Sequence, residues 1–314
     1  MAQRVVCVVG PTASGKTKMG AALAGRFHGE VVSVDSMQIY RGMAIGTAAP
    51  TSEEMEGVPH HMIGVADPAE SWSVSRFTEA ADRCVQDILS RGKLPVLVGG
   101  TGLYLDALVR GNTFAAGQQG GAVRQELQER LAREGAAALL AELAAVDPEA
   151  AARLHLRDEK RILRALEVYR ETGKTISEHD RKSREAPNRY DALYVGLSFQ
   201  DRQDLRDRID RRVDAMVAAG LLEEVGQLLE SGLPREATAL QAIGYKEFLG
   251  VLDGTATVEE AVAEVKLRSR QYAKRQLTWL RRNPDIHWIW WEKDRDFARA
   301  LQVSTEILAA AGVF

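Results

Sequence analysis

Residues 10–17 read Gly-Pro-Thr-Ala-Ser-Gly-Lys-Thr, directly after an apolar run at residues 5–9 and directly before a helical stretch at 18–27. The pattern G-x-x-x-x-G-K-[ST] between a buried strand and a helix makes a phosphate loop. Gly10 and Gly15 let the amides of Thr12, Ala13 and Ser14 turn inward around a polyphosphate. The start of the following helix adds its dipole. Lys16 supplies a point charge, and the Thr17 hydroxyl is the expected Mg²⁺ ligand. The motif calls for a polyphosphate and leaves open which one and what reaction follows.

The rest of the chain keeps the rhythm this loop requires. Short apolar runs at residues 31–34, 95–98, 193–197 and 286–291 read as further buried strands. Helical stretches separate them, among them 75–90 and 205–229. Strands alternating with helices predict an α/β fold, a phosphate-loop NTPase-like parallel sheet flanked by helices. Residues 111–187 break the rhythm, with a glycine-rich connector at 115–121 and then Ala, Leu and Arg patterns without a β-rich run. They predict a helical insertion domain, giving a core of residues 1–112 and 188–314 around an insertion of 113–187. Gly117, Gly120 and Gly121 read as a hinge. A last helix is expected at about 295–311.

Ligands of open parallel sheets sit at the carboxyl ends of the strands. Asp35 ends the second strand and belongs beside the phosphate loop, as a general base or a metal-holding carboxylate. The third strand ends in Gly99, Gly100, Thr101 and Gly102, where glycines permit close approach and Thr101 offers a hydroxyl. Arg206, Arg208, Arg211 and Arg212 follow the fourth strand, with Arg208 and Arg212 on one helical face. Arginines there either neutralise a departing phosphate or form a salt-bridged surface helix. His60 and His61 lack metal-site spacing and read as a structural loop, and Trp288, Trp290 and Trp291 read as core and strand-face residues.

Net charge is −3, so bulk charge does not announce a nucleic-acid binder. Residues 266–282 carry seven basic and no acidic residues, with Tyr272 and Trp279 among them, which suits either a phosphate backbone or a solvated helix face. No apolar run reaches membrane-spanning length, and the first run is too short for a signal peptide. Cys7 and Cys84 lack metal or redox spacing. A cytoplasmic protein without membrane partners is expected.

The phosphate loop, then Asp35-Ser36-Met37-Gln38-Ile39-Tyr40-Arg41-Gly42 and Ile45-Gly46-Thr47-Ala48, together resemble the bacterial tRNA dimethylallyltransferases. Pro59 to Ile63, Gly99 to Tyr104, Arg164 to Val168 and Lys274 to Trp279 match in the same order, so the resemblance spans about residues 4–291. The chain departs from the usual pattern at Ala44, Ala49 and Gly64, and at residues 118–122. The resemblance implies transfer of a dimethylallyl group to N6 of the adenine at tRNA position 37, beside the anticodon, in tRNAs reading codons that begin with U. It implies that the loop, Gly10 with Thr12 to Thr17, holds dimethylallyl diphosphate and not ATP. The general base then falls on Asp35, the threonine near the amine on Thr101 and an arginine on the diphosphate at Arg212. Contacts with the anticodon stem-loop fall on Asp35, Ser36, Met37, Gln38, Thr101, Arg124, Lys160, Arg161, Ile162, Leu163, Arg164, Gln241, Ala242, Ile243, Gly244, Tyr245 and Lys246. Mg²⁺ is the implied cofactor, and a monomer is expected.

Three other readings stay open from the sequence. A nucleoside or small-molecule kinase would use ATP at the same loop, with Arg206 to Arg212 as a lid cluster. An isopentenyltransferase of free AMP or ADP would not need so large an insertion. A non-enzymatic RNA-binding module would leave the phosphate loop without a purpose.

Overall fold

The computed structural model describes residues 3–112 and 121–313. Among them, six strands form one parallel sheet: β1 (Gln3–Val9), β2 (Gly29–Val34), β3 (His60–His61), β4 (Leu94–Gly99), β5 (Tyr190–Phe199) and β6 (Ile286–Trp291), in the order β3-β2-β4-β1-β5-β6. β1 is central, with Val9 opposite Gly99 of β4 and Gly196 of β5. This register brings the ends of β1, β2, β4 and β5 to one edge, where the loops that follow them gather.

Strand alternation builds two cores. Val5, Cys7 and Val9 pack on one face with Val32, Val34 and Leu97. Val6 and Val8 pack on the other with Val31, Val96 and Val98. The first face is covered by α2 (Val74–Ser90), α3 (Gly102–Arg110) and α9 (Leu221–Glu230), through Phe77, Val85, Leu105, Leu108 and Val225. The second is covered by α1 (Lys16–Arg26) and α12 (Phe297–Ala310), through Met19, Leu23 and Leu308. The helices α8 (Arg202–Ala218) and α11 (Val258–Leu280) contribute to both cores, and α10 (Lys246–Leu252) adds Phe248 to the first. Ser73 caps α2, its hydroxyl accepting from the Arg76 amide, and a Thr257–Glu260 capping box opens α11.

The chain divides into two compact units, Met1–Gly111 with Arg189–Phe314, and Asn112–Asn188. The second unit holds α4 (Ala122–Val146), α5 (Pro148–Ala152), α6 (Glu159–Thr172) and α7 (Ile176–Glu185). Its core joins Leu127, Leu139 and Leu143 of α4 to Ile162, Leu163 and Leu166 of α6. α4 is two helical stretches meeting at Gly135, whose φ of 80° a helix interior does not accommodate. Gly117 and Gly120, read as hinge residues, lie outside the described residues, as does most of the connector at 115–121.

Three expectations need correction. His60 and His61 form a short edge strand beside Val31 and Val32. The single helix expected at 205–229 is two, because Gly220 sits at φ 98° between α8 and α9. The last helix starts at Phe297, capped by Asp296, so Arg295 stands outside it.

A buried carboxyl braces the loop edge. Glu224 of α9 accepts from the amides of Ile45 and Gly46 at 2.9 and 3.0 Å and from the Tyr245 hydroxyl. Glu224→Ala would orphan these three donors, each costing about 1–3 kcal/mol when buried unpaired. The expected loss of folding stability is about 3 kcal/mol or more. Urea titration checks it, and an unchanged midpoint would show that the loop finds other acceptors.

Candidate active site

The phosphate loop owes its shape to three residues with positive φ, Gly10 (153°), Ala13 (63°) and Gly15 (93°). A Cβ on Gly10 would lie 2.3 Å from the Leu197 carbonyl oxygen, so the loop leaves β1 where only glycine fits. Gly15 opens α1. The ammonium of Lys16 donates to the Pro11 carbonyl at 2.7 Å, and the amide of Thr12 donates to Oε1 of Gln276 at 2.8 Å. The hydroxyl of Ser14 is buried without a hydrogen-bond partner among the described residues.

A crevice of about 810 Å³ opens beside this loop, lined among others by Thr12, Lys16, Asp35, Gln38, Arg212 and Tyr272. One wall is cationic. Arg212, from α8, reaches Thr12 Oγ1 at 3.4 Å and the Ala48 carbonyl at 3.5 Å. Burial and the Arg212 charge push the Lys16 ammonium down to about 7, against the pull of Asp35. Burial also lowers Arg212, against Asp35 and Glu54.

Asp35 belongs to the same crevice, at the end of β2. Its Oδ1 accepts from the amides of Met37 and Gln38, at 2.8 and 3.2 Å. Oδ2 has no hydrogen-bond partner among the described residues, so the carboxyl is held by one oxygen and offers the other. Gln38 accepts from the Ser33 hydroxyl and donates to the carbonyls of Thr47 and Ala48, which braces the loop that Arg212 also touches.

Thr101 precedes α3 without capping it, and its hydroxyl lies 3.5 Å from that of Tyr272. Burial, then the nearby Asp35 charge, raises the Tyr272 phenol and keeps it a neutral donor. Gly100 makes room for Gln276, since a Cβ there would lie 2.2 Å from Gln276 Nε2. Gly102 does the same for Trp279, whose indole donates to Asp106 at 2.8 Å. Gln276 thus ties α11 to both the phosphate loop and the Gly100 loop. Within the Lys274–Trp279 motif its role is invisible to sequence, because its partner amide at Thr12 is 264 residues away.

The other expected residues are spread more widely. Gln241, Ala242 and Ile243 line the crevice. Tyr245 is buried on Glu224, so its side chain serves the fold, while Lys246 is exposed. In the helical unit Lys160 and Arg161 are exposed. Arg124 and Arg164 face the buried carboxyl of Glu167, at 3.7 and 2.8 Å. Ile162 and Leu163 are core residues of that unit, 1% and 4% exposed, and offer no side chain to a ligand. Arg206 is exposed and outside the crevice, while Arg208, Arg211 and Arg212 line it. Among the described residues no group of three or more His, Cys, Asp or Glu could hold a metal, and no helix is long and apolar enough to cross a membrane.

A phosphate loop at the centre of a parallel sheet, with a carboxylate and partly buried cations lining one crevice, defines a phosphate-loop enzyme. A family model described as IPP transferase matches residues 38–283, and one described as isopentenyl transferase matches 3–66. A tRNA dimethylallyltransferase of Halalkalibacterium halodurans is 47% identical over 92% of this chain and 91% of the relative. One of Caldanaerobacter subterraneus subsp. tengcongensis is 43% identical over 98% of each chain. Among solved structures, the full-length tRNA isopentenylpyrophosphate transferase of Bacillus halodurans is similar with a TM-score of 0.72 and 42% identity, over 98% of this chain and 96% of that one. A eukaryotic dimethylallyltransferase acting on tRNA gives 0.83 and 30%, over 98% and 80%. The chain belongs to the IPP transferase family and is a prenyl transferase. That decides against the kinase and the non-enzymatic RNA-binding module.

Proposed function

We propose that this enzyme transfers the dimethylallyl group of dimethylallyl diphosphate to N6 of adenine 37 of tRNA, beside the anticodon, in tRNAs reading codons that begin with U. The observation that carries this reading is the crevice itself, which gathers Lys16, Arg212, Asp35 and Tyr272, with the Thr101 hydroxyl 3.5 Å from that of Tyr272. An allylic diphosphate bound there would meet cations for its leaving group and a carboxylate for the proton of its nucleophile.

In the reaction the C1–O bond breaks and its electron pair leaves with the diphosphate. The loop amides, Lys16 and Arg212 stabilise that charge. The adenine amine is a weak nucleophile because its lone pair is delocalised. Asp35 orients it and takes one proton from it as the N6–C1 bond forms. Thr101 and Tyr272, whose hydroxyls meet, hold the base. N6 is out of reach inside stacked RNA, so the adenine must be splayed out. The exposed Lys160 and Arg161 offer the helical unit charges with which to grip the anticodon stem, while Arg124 and Arg164 are engaged with Glu167.

The oxygen donors on hand suit Mg²⁺. The Thr17 hydroxyl and the Asp35 carboxyl are hard ligands, and the diphosphate and water would complete the shell. Bound there, the ion would neutralise diphosphate charge.

Incubation with dimethylallyl diphosphate, Mg²⁺ and unmodified tRNA, followed by digestion and mass analysis of nucleosides, tests the reading. Dimethylallyladenosine is expected only with tRNA. Product from AMP would move the acceptor to free nucleotides, and no product from either would overturn the proposal.

A further inference from the structure

Arginines in this chain are commonly paired. Arg91 binds Glu30, Arg270 binds Asp210, Arg235 binds Asp253 and Arg4 binds Asp191. The five guanidiniums at the crevice, Arg208, Arg211, Arg212, Arg275 and Arg295, are different. Among the described residues none has a carboxylate oxygen within 4.0 Å. Arg208 has its Nε buried with no hydrogen-bond partner among the described residues, and its guanidinium 5.9 Å from the Phe199 ring. Burial, then Arg295, Arg211 and Arg212, lowers Arg208, and burial, then Arg211, lowers Arg295. Like charges gathered without counter-ions are unfavourable until an anion arrives.

The fold places Arg295 deliberately close to the loop. The indole of Trp291, at the end of β6, donates to the Ser14 carbonyl at 2.8 Å. This clamps the strand end to the phosphate loop and brings the residue four positions on to Gly15. A Cβ on Gly15 would lie 3.1 Å from Arg295 Nη1. The guanidinium therefore lies against the turn that opens α1, on exposed chain just before Asp296 caps α12. Arg212 lies instead at Thr12, the other end of the loop. Two arginine positions flank one loop, and a diphosphate has two phosphates to offer them.

We propose that Arg295, seconded by Arg208, forms an outer phosphate subsite beside Gly15 that takes the terminal phosphate of the donor and selects a diphosphate over a monophosphate. The inference rests on the donor reading given above. Arg212, Lys16 and the loop amides hold the phosphate attached to carbon. Arg295 reaches the second through its planar fork of donors, which matches phosphate oxygens.

Calorimetry with inorganic diphosphate and with inorganic phosphate, on wild type, Arg295→Ala and Arg295→Lys, tests it. Arg295→Ala is expected to weaken diphosphate binding about 10- to 100-fold, the range for one hydrogen bond to a charged group. Phosphate affinity should stay within about twofold, and Arg295→Lys should recover part of the loss. In turnover, the KM for the donor should rise while the KM for tRNA stays unchanged. Diphosphate affinity within twofold of wild type in Arg295→Ala would overturn the inference. So would equal losses for phosphate and diphosphate, which mark general electrostatics, or a rise confined to the KM for tRNA, which marks an RNA contact. If the wild type makes dimethylallyladenosine and Arg295→Ala behaves like it, the inference alone fails. If the wild type does not bind diphosphate, the donor reading fails with it.

Discussion

Asp35→Asn is expected to lower single-turnover prenyl transfer about a thousandfold while leaving donor affinity within a few-fold of wild type. The substitution is close to isosteric. Oδ1 of asparagine can still accept from the amides of Met37 and Gln38, so the strand end and the loop that follows it keep their shape. What changes is the second oxygen. It becomes an amide nitrogen, which donates hydrogen bonds and takes no proton. A thousandfold corresponds to about 4 kcal/mol of barrier, within what a positioned base supplies. Removing the negative charge also leaves Lys16 and Arg212 less compensated, which favours an anionic donor slightly. Rapid-quench measurement of dimethylallyladenosine, with donor affinity measured separately, checks both halves. Turnover within tenfold of wild type would remove Asp35 as the base and leave Tyr272, or water, to take the proton.

The legible part of this site is the part encoded by contiguous residues. The phosphate loop, Asp35 and Thr101 each end an apolar run, and the run itself announces a strand end. Arg208 and Arg212 could be placed on one helical face by their spacing. What escaped depended on partners far along the chain. Glu224 looks like one acid in an amphipathic helix, yet its donors are the amides of Ile45 and Gly46, 179 and 178 residues away. Arg295 looks like the first turn of a helix, and only the Trp291–Ser14 bond, 277 residues in span, brings it to the phosphate loop. Two histidines carry no strand periodicity of their own, so β3 becomes visible only once β2 is beside it. Gly220 is a residue that a helical pattern tolerates on paper, whereas its positive φ divides α8 from α9. At Ile162, Leu163 and Tyr245, within the stretches expected to contact tRNA, the side chains turn into the cores. Sequence therefore gives the chemistry at strand ends more readily than the braces that hold it.

Lys16→Met is expected to lower kcat/KM for the donor by 10²- to 10³-fold, the usual effect of removing one preorganised donor to a departing anion. It is also expected to change how donor binding responds to pH. In the free enzyme the Lys16 ammonium is pushed down to about 7, first by burial and then by Arg212. A bound diphosphate supplies the counter-charge that this site lacks, so the pKa in the complex must lie higher. The sign follows from linkage. Below pH 7 Lys16 is already charged, and its contribution to binding is fully present. As pH rises above 7, each molecule of diphosphate must bring a proton with it, and affinity falls by up to about tenfold per pH unit until the pKa of the complex is reached. Methionine has no proton to take up. Calorimetry with inorganic diphosphate in buffers of different ionisation enthalpy at pH 8 reads the difference directly. The wild type should take up close to one proton per diphosphate bound, and Lys16→Met close to none. The same proton uptake in both proteins would assign the linkage to another group at the crevice, and with it the claim that Lys16 enters the reaction poised between its two charge states would fall.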